Sequence, residues 1–182
     1  EYRFVFRGGE TPWQKSFLLP VENTVRSVLG FEFASRPREP KIEFRNIKWK
    51  RVDSHLTPDP EAYVKERMTF GIKDAQFLSG SSGAAGTGRT SRATGGPAVN
   101  TVHFVIENTT PFSFWSLPLY VVMMRGGSVT GIETVTVEPL ETREVRAINV
   151  ATSLESSQVG EIRVLPYINI FDAGQYKNIE GI

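Results

Sequence analysis

The sequence predicts an all-β chain built as a β-sandwich, and three observations carry that expectation. Side chains alternate apolar and polar over most of the length, Gly and Pro break those stretches at short intervals, and the composition favours strands. Twelve Phe, five Tyr and three Trp stand among many Val, Ile and Thr, the side chains that pack best on a pleated surface. Sixteen Gly and eleven Pro supply the turns between them.

The first half yields its elements in order. Tyr2-Arg3-Phe4-Val5-Phe6-Arg7 puts Tyr2, Phe4 and Phe6 on one face, and Gly8-Gly9 ends the strand as a turn. Trp13 to Leu19 predicts a second strand, closed by Pro20. Val25 to Phe33 predicts a third, with Leu29, Phe31 and Phe33 on one side before Pro37 and Pro40 interrupt. Lys41 to Val52 predicts a fourth. There Ile42 and Phe44 share one parity and Ile47 and Trp49 the other, so a β-bulge or a change of sheet is expected at Arg45-Asn46. Asp59-Pro60-Glu61 offers an N-cap, a Pro at the first helical position and an acid in the first turn, which predicts a short helix from Pro60 to about Met68. Thr69 to Leu78 returns to strand pattern with Phe70, Ile72 and, less regularly, Phe77.

From Ser79 to Pro97 the chain is Gly, Ser, Thr and Ala with Arg89 and Arg92 and no large apolar side chain, so it contributes nothing to a core. It is expected to be a flexible loop or linker. Neither the P-loop nor the dinucleotide-binding glycine pattern occurs in it, and it ends in Pro rather than opening a helix. The expected organisation is therefore a β-rich domain over residues 1–78, a loop or linker over 79–97, and a second domain over 98–182.

After the break the alternation is cleaner. Val102, Phe104 and Ile106 face one way while Thr101, His103 and Glu107 face the other, and Asn108-Thr109-Thr110-Pro111 is a turn. Phe112 to Met124 is apolar on both faces, the mark of a central strand covered on two sides. Arg125-Gly126-Gly127-Ser128 is a turn, and Val129 to Val137, Arg143 to Val150 and Glu161 to Ile168 complete five strands. Short strands at this spacing read as a sandwich.

The order of these residues carries a family likeness. Val102-x-Phe104-x-Ile106-x-Asn108, then Leu119-x-Val121-Val122, then Gly126-Gly127-x-Val129-x-Gly131, then Leu140-x-x-x-Glu144-Val145 resembles the small immunoglobulin-like domains typified by FxLYD and WHy-like sequences. The ending Val164-Leu165-Pro166-Tyr167-Ile168-Asn169-Ile170-Phe171-Asp172 is similar to that of membrane-anchored extracytoplasmic proteins of candidate-phyla bacteria, in which a transmembrane helix precedes two β-rich segments. The likeness spans about residues 99 to 176 and, loosely, 13 to 78. Where that family's turn reads Pro-Gly-Glu, this chain has Glu141-Thr142-Arg143-Glu144. The resemblance implies an immunoglobulin-like β-sandwich and a cell-envelope location, and it brings no catalytic residues with it.

Composition narrows the function classes. With no Cys, disulfides, thiolate metal sites and a Cys nucleophile are excluded. The longest apolar run, Leu117 to Met124, is far short of the ~20 residues of a spanning helix. Glu1-Tyr2-Arg3-Phe4 has no signal-like character, so the anchoring segment implied by the resemblance is expected outside this sequence. Charge is uneven: residues 1–78 carry 14 Lys and Arg against 11 Asp and Glu, while residues 98–182 carry 5 against 9. That asymmetry favours head-to-tail contact within or between copies, screened beyond roughly 8 Å at physiological salt.

Four constellations bear on chemistry. Asp53-Ser54-His55-Leu56-Thr57-Pro58-Asp59-Pro60-Glu61 gathers one imidazole and three carboxylates, but a catalytic zinc wants three ligands with His dominant, and the spacing fits no EF-hand. A solvated loop leading into a capped helix is the plainer reading. His103 falls on the polar face of its strand, where a surface role outweighs that of a general base. Arg36, Arg38, Lys41, Arg45, Lys48, Lys50 and Arg51, interleaved with Phe44 and Trp49, suit a strand that tracks phosphate, although period-2 alternation points Trp49 inward and Lys48 and Lys50 outward. Phe112, Phe114, Trp115, Tyr120, Met123 and Met124 suit an apolar groove or, more simply, a core.

The expectation is a non-catalytic extracytoplasmic structural, adhesion or protein-interaction module of a bacterial cell envelope, with protein partners or self-association. No nucleic acid, cofactor, metal or catalytic residue is assigned. The alternatives are a carbohydrate- or envelope-polymer-binding module, which needs Trp13, Trp49 or Trp115 exposed, and a metal-assisted hydrolase, which needs His55 and His103 beside shared carboxylates.

Overall fold

The computed structural model of the chain describes residues 1–18, 38–55, 57–80 and 99–177. The strand expected from Val25 to Phe33 and nearly all of the Gly-rich stretch from Ser79 to Pro97 lie outside the described residues. Among the described residues strands hold 47% and helices 11%, so these residues are mostly β, in three small antiparallel sheets with no barrel. It divides into two compact units, Glu1–Tyr63 and Val64–Ile182.

In the first unit, strands β1 (Tyr2–Phe6), β2 (Gly9–Glu10) and β3 (Lys41–Phe44) form a sheet in the order β2-β1-β3. Gly8 takes the turn between β1 and β2 at φ 100°, a backbone conformation without cost only for a residue lacking Cβ. Thr11 locks the hairpin: its N–H donates to the Phe4 carbonyl at 2.8 Å and its Oγ1 accepts the Phe4 N–H at 2.9 Å.

Two strand expectations need correction here. Among residues 13–18 the strand from Trp13 shrinks to a single bridge, Gln14 to Tyr2, because Gln14 already stands opposite the first residue of β1 and no described strand lies beside Lys15 to Leu18. The strand from Lys41 stops at Phe44 rather than bulging on to Val52. Asn46 adopts φ 51°, the left-handed region that Asn tolerates better than most side chains, and the residues after it leave the sheet. The parity flip marks an end, not a bulge.

Helix α1 (Pro60–Met68) lies where the capping signals put it. Asp59 Oδ1 accepts the Ala62 N–H at 3.0 Å, Glu61 sits in the first turn, and Lys65 and Arg67 sit in the last, an order that complements the helix dipole.

The second unit holds strands β4 (Phe70–Leu78), β5 (Asn100–Asn108), β6 (Leu117–Arg125), β7 (Ser128–Val137), β8 (Val145–Thr152) and β9 (Glu161–Pro166), in two sheets ordered β4-β5-β8 and β7-β6-β9. The division expected after residue 78 thus falls between Tyr63 and Val64. Strand β4 pairs with β5 from Phe70↔Asn108 to Leu78↔Thr101, so residues 79–97 join two neighbours of one sheet rather than two domains. The irregular place of Phe77 is explained by a register shift between Lys73 and Gln76, where Asp74 takes φ 53°. The extra residue returns Phe77, opposite Val102, to the face of Ile72, opposite Ile106.

Alternation builds the core of this unit. Val102, Phe104 and Ile106 from β5 and Leu119, Val121 and Met123 from β6 are all at most 1% exposed, together with Phe114 and Leu140. Each such side chain contributes roughly 1.5–3 kcal/mol relative to exposure. Strand β8 contacts β7 and β4 contacts β9, so the two sheets, with β5 and β6 as their middle strands, meet through their edge strands. Tyr120 and Val122, on the outer face of β6, are buried as well, and Tyr120 meets the Tyr167 ring at 5.3 Å. The Gly126-Gly127 turn joins β6 to β7 at φ 56° and 79°, the pair of positive values that a two-residue hairpin of this hand requires. No helix among the described residues is long and apolar enough to cross a membrane.

Candidate interaction surface

The richest exposed chemistry of the first unit lies on and after β3. Strand β1 alternates, so the backbone groups of Tyr2 and Phe4 turn toward Gln14 and Thr11, and β3 pairs on the opposite side, with Arg3↔Glu43 and Val5↔Lys41 in register. Every residue of β3 is exposed, including Ile42 at 47% and Phe44 at 54%. At the far end of the pair, Arg45 Nε donates to the Glu1 carboxylate at 2.7 Å and Asn46 Nδ2 donates to it at 3.1 Å. These hydrogen bonds, Arg45 first, hold the Glu1 carboxyl below its ordinary pKa. Arg3 reaches Glu10 at 2.5 Å and Glu43 at 2.9 Å.

Trp13 does not offer a free ring. The Arg3 and Arg45 guanidinium carbons lie 4.6 and 4.1 Å from its centroid, within cation–π range. Trp49 is the opposite case. With Asn46 turning the chain out of the sheet, Ile47 is 60% and Trp49 87% exposed. Lys48, Lys50 and Arg51 around them form no ion pair among the described residues. The alternation that pointed Trp49 inward requires a strand, and none exists at residues 47–52.

The acidic loop acts on its own backbone. Asp53 Oδ1 accepts the His55 N–H at 2.8 Å, the Asp53 carbonyl accepts the Thr57 N–H at 2.8 Å, and Asp59 caps α1. His55 belongs to the first unit and His103 to the second, where its Nδ1 lies 2.9 Å from Asn149 Oδ1 on the outer face of the β5–β8 pair. Among the described residues no three His, Asp or Glu side chains gather in a metal-holding group.

The aromatic cluster of the second unit divides. Phe114, Tyr120 and Met123 are core. Phe112 packs on Tyr176 at 5.3 Å under the Arg67 guanidinium at 4.5 Å. Trp115 remains 55% exposed beside the Lys177 ammonium, 5.1 Å from its ring. Lys177 also bonds Glu141, which lowers the Glu141 pKa.

Sequence reasoning marked the basic, aromatic stretch but missed its exposure. The signal lay in Asn46, a residue suited to ending a strand. No protein-family model, curated protein or solved structure matches this chain.

Proposed function

We propose that this protein is a non-catalytic interaction module of a bacterial cell envelope, extracytoplasmic and membrane-anchored, whose second unit is an immunoglobulin-like β-sandwich. The observation that carries the reading is the exposed row Ile42, Phe44, Ile47 and Trp49 set among Lys41, Lys48, Lys50 and Arg51. Large apolar side chains grouped on one short segment are a mark of recognition surfaces, and Trp with flanking cations is a common anchor of such surfaces. The envelope location and the immunoglobulin type rest on the resemblance of residues 99 to 176. Two three-stranded antiparallel sheets in contact with one another support that reading.

The test is site-specific photo-crosslinking from position 49 of the full chain in envelope fractions. A discrete protein adduct is expected, competed by excess unlabelled chain and not by an Ile47→Ser/Trp49→Ser chain. Absence of any adduct from a chain shown to be folded overturns the reading. A second reading, binding of an anionic envelope polymer, is favoured by the exposure of Trp49 beside cations that form no ion pair among the described residues. It predicts that soluble anionic glycan fragments shift Trp49 fluorescence and abolish the protein adduct.

A further inference from the structure

We infer that β3 is a self-pairing edge, on which a second copy of this chain adds its own β3 antiparallel to form a continuous six-stranded sheet. This deepens the interaction-module reading and rests on it. Glu1, Arg3 and Val5 turn their backbone groups toward β3: Arg45 N–H donates to the Glu1 carbonyl at 3.1 Å, and Tyr2 and Phe4 bond the other side. By alternation, Lys41 and Glu43 spend their N–H and C=O groups on β1, while Ile42 and Phe44 aim theirs away from it. No described strand takes them, since the sheet order ends at β3. An open edge of this kind is a template for another strand.

Charge selects the register. With Ile42 opposite Ile42 of the second copy, Lys41 stands opposite Glu43 and Glu43 opposite Lys41, so both cross-strand charge pairs are attractive. Moving the register by one pair sets Glu43 against Glu43 once and Lys41 against Arg45 twice, all repulsive, and centring it on Phe44 would require Asn46, turned out of the sheet at φ 51°, to pair with Ile42. In the selected register the two Ile42 residues exchange two backbone hydrogen bonds on the two-fold axis. Each Phe44 N–H donates to the carbonyl of the other copy's Pro40, a residue that needs no partner for an N–H because it has none. Ile42 and Phe44, already on the face of Phe4 and Tyr2, then cover their diagonal counterparts. Four residues a side make a short edge, so the association is weak and reversible.

The chain has no Cys, so single cysteines report the geometry. In this register the two residues at position 42 lie ~5.5 Å apart between Cα atoms, inside disulfide range. Those at position 44 lie four steps apart, about 13 Å, outside it. On mild oxidation of the full chain, Ile42→Cys is expected to become a covalent dimer and Phe44→Cys to stay monomeric, each checked for its native circular dichroism. Wild-type chain is expected to sediment as a monomer–dimer equilibrium that Ile42→Lys abolishes. Wild-type chain that stays monomeric to about 1 mM, the weak end of the affinity scale, overturns the inference, as does equal crosslinking at positions 42 and 44. If that happens while the position 49 adduct persists, the interaction-module reading stands and only the self-pairing edge falls.

Discussion

The side-chain oxygen of Asn108 accepts two hydrogen bonds from Thr110, one from its backbone N–H at 3.1 Å and one from its hydroxyl at 2.7 Å. The Asn108 Nδ2 donates to the carbonyls of Phe112 at 2.8 Å and Glu141 at 2.9 Å. The carboxamide is fully buried and all of its donor and acceptor capacity is used. One side chain therefore ties the end of β5 to the turn after it and to the loop before β8.

Replacement of Asn108 by Ala removes all four of these hydrogen bonds, while the Phe112 carbonyl keeps the Thr110 hydroxyl and the Glu141 carbonyl keeps the Glu144 N–H, so a loss of about 1–3 kcal/mol is expected. Asn108→Asp is expected to cost more, because an acceptor then faces both carbonyls. Chemical denaturation of the full chain checks the order. An Asn108→Asp chain as stable as wild type contradicts the network.

Phe104, fully buried in the middle of β5, is expected to cost ~3–5 kcal/mol when cut to Ala, the combined loss of transfer energy and packing. Trp49→Ser removes a larger side chain from an 87% exposed position and is expected to stay within about 0.5 kcal/mol of wild type. Thermal melts of both chains test whether aromatic size or burial governs stability here.

The range of the interactions involved decides how much of the fold was legible in the sequence. Strands β5 to β9 were legible because Val102, Phe104 and Ile106 repeat with period two and the Gly126-Gly127 turn is local chemistry. Helix α1 was legible because a cap and a Pro act on adjacent residues. The division of the chain was not, because the pairing of Phe70 with Asn108 links residues far apart in sequence, and no local pattern reveals it. At the candidate surface the residue types were plain. Their exposure was not, since it turns on one backbone angle at Asn46 that ends β3.

Asp59 is expected to contribute as an N-cap. Its Oδ1 accepts the Ala62 N–H at the start of a nine-residue helix, so Asp59→Ala should cost about 1 kcal/mol. Asp59→Ser, which keeps an acceptor, should restore most of it. Denaturation midpoints of the three chains decide whether this carboxylate acts as a cap or merely as a surface charge.

Two exposed ion pairs set opposite limbs of the pH dependence. The hydrogen bond from Lys177 holds the Glu141 carboxyl below its ordinary value of 4.5. Its contribution is therefore complete above that value and fades as pH falls through the lowered one. The bond from Lys73 Nζ to Glu107 Oε2, 2.6 Å long, raises the Lys73 ammonium above 10.5. That contribution is complete below the ordinary value and fades as pH rises through the raised one. Glu141→Gln is thus expected to flatten the acid limb of the stability curve alone, and Lys73→Met the alkaline limb alone. Both effects should shrink in molar salt, because each pair is open to solvent and screened. Melting temperatures measured across pH at low and high salt check all three statements. An acid limb unchanged in Glu141→Gln shows that the Lys177 contact does not form in solution.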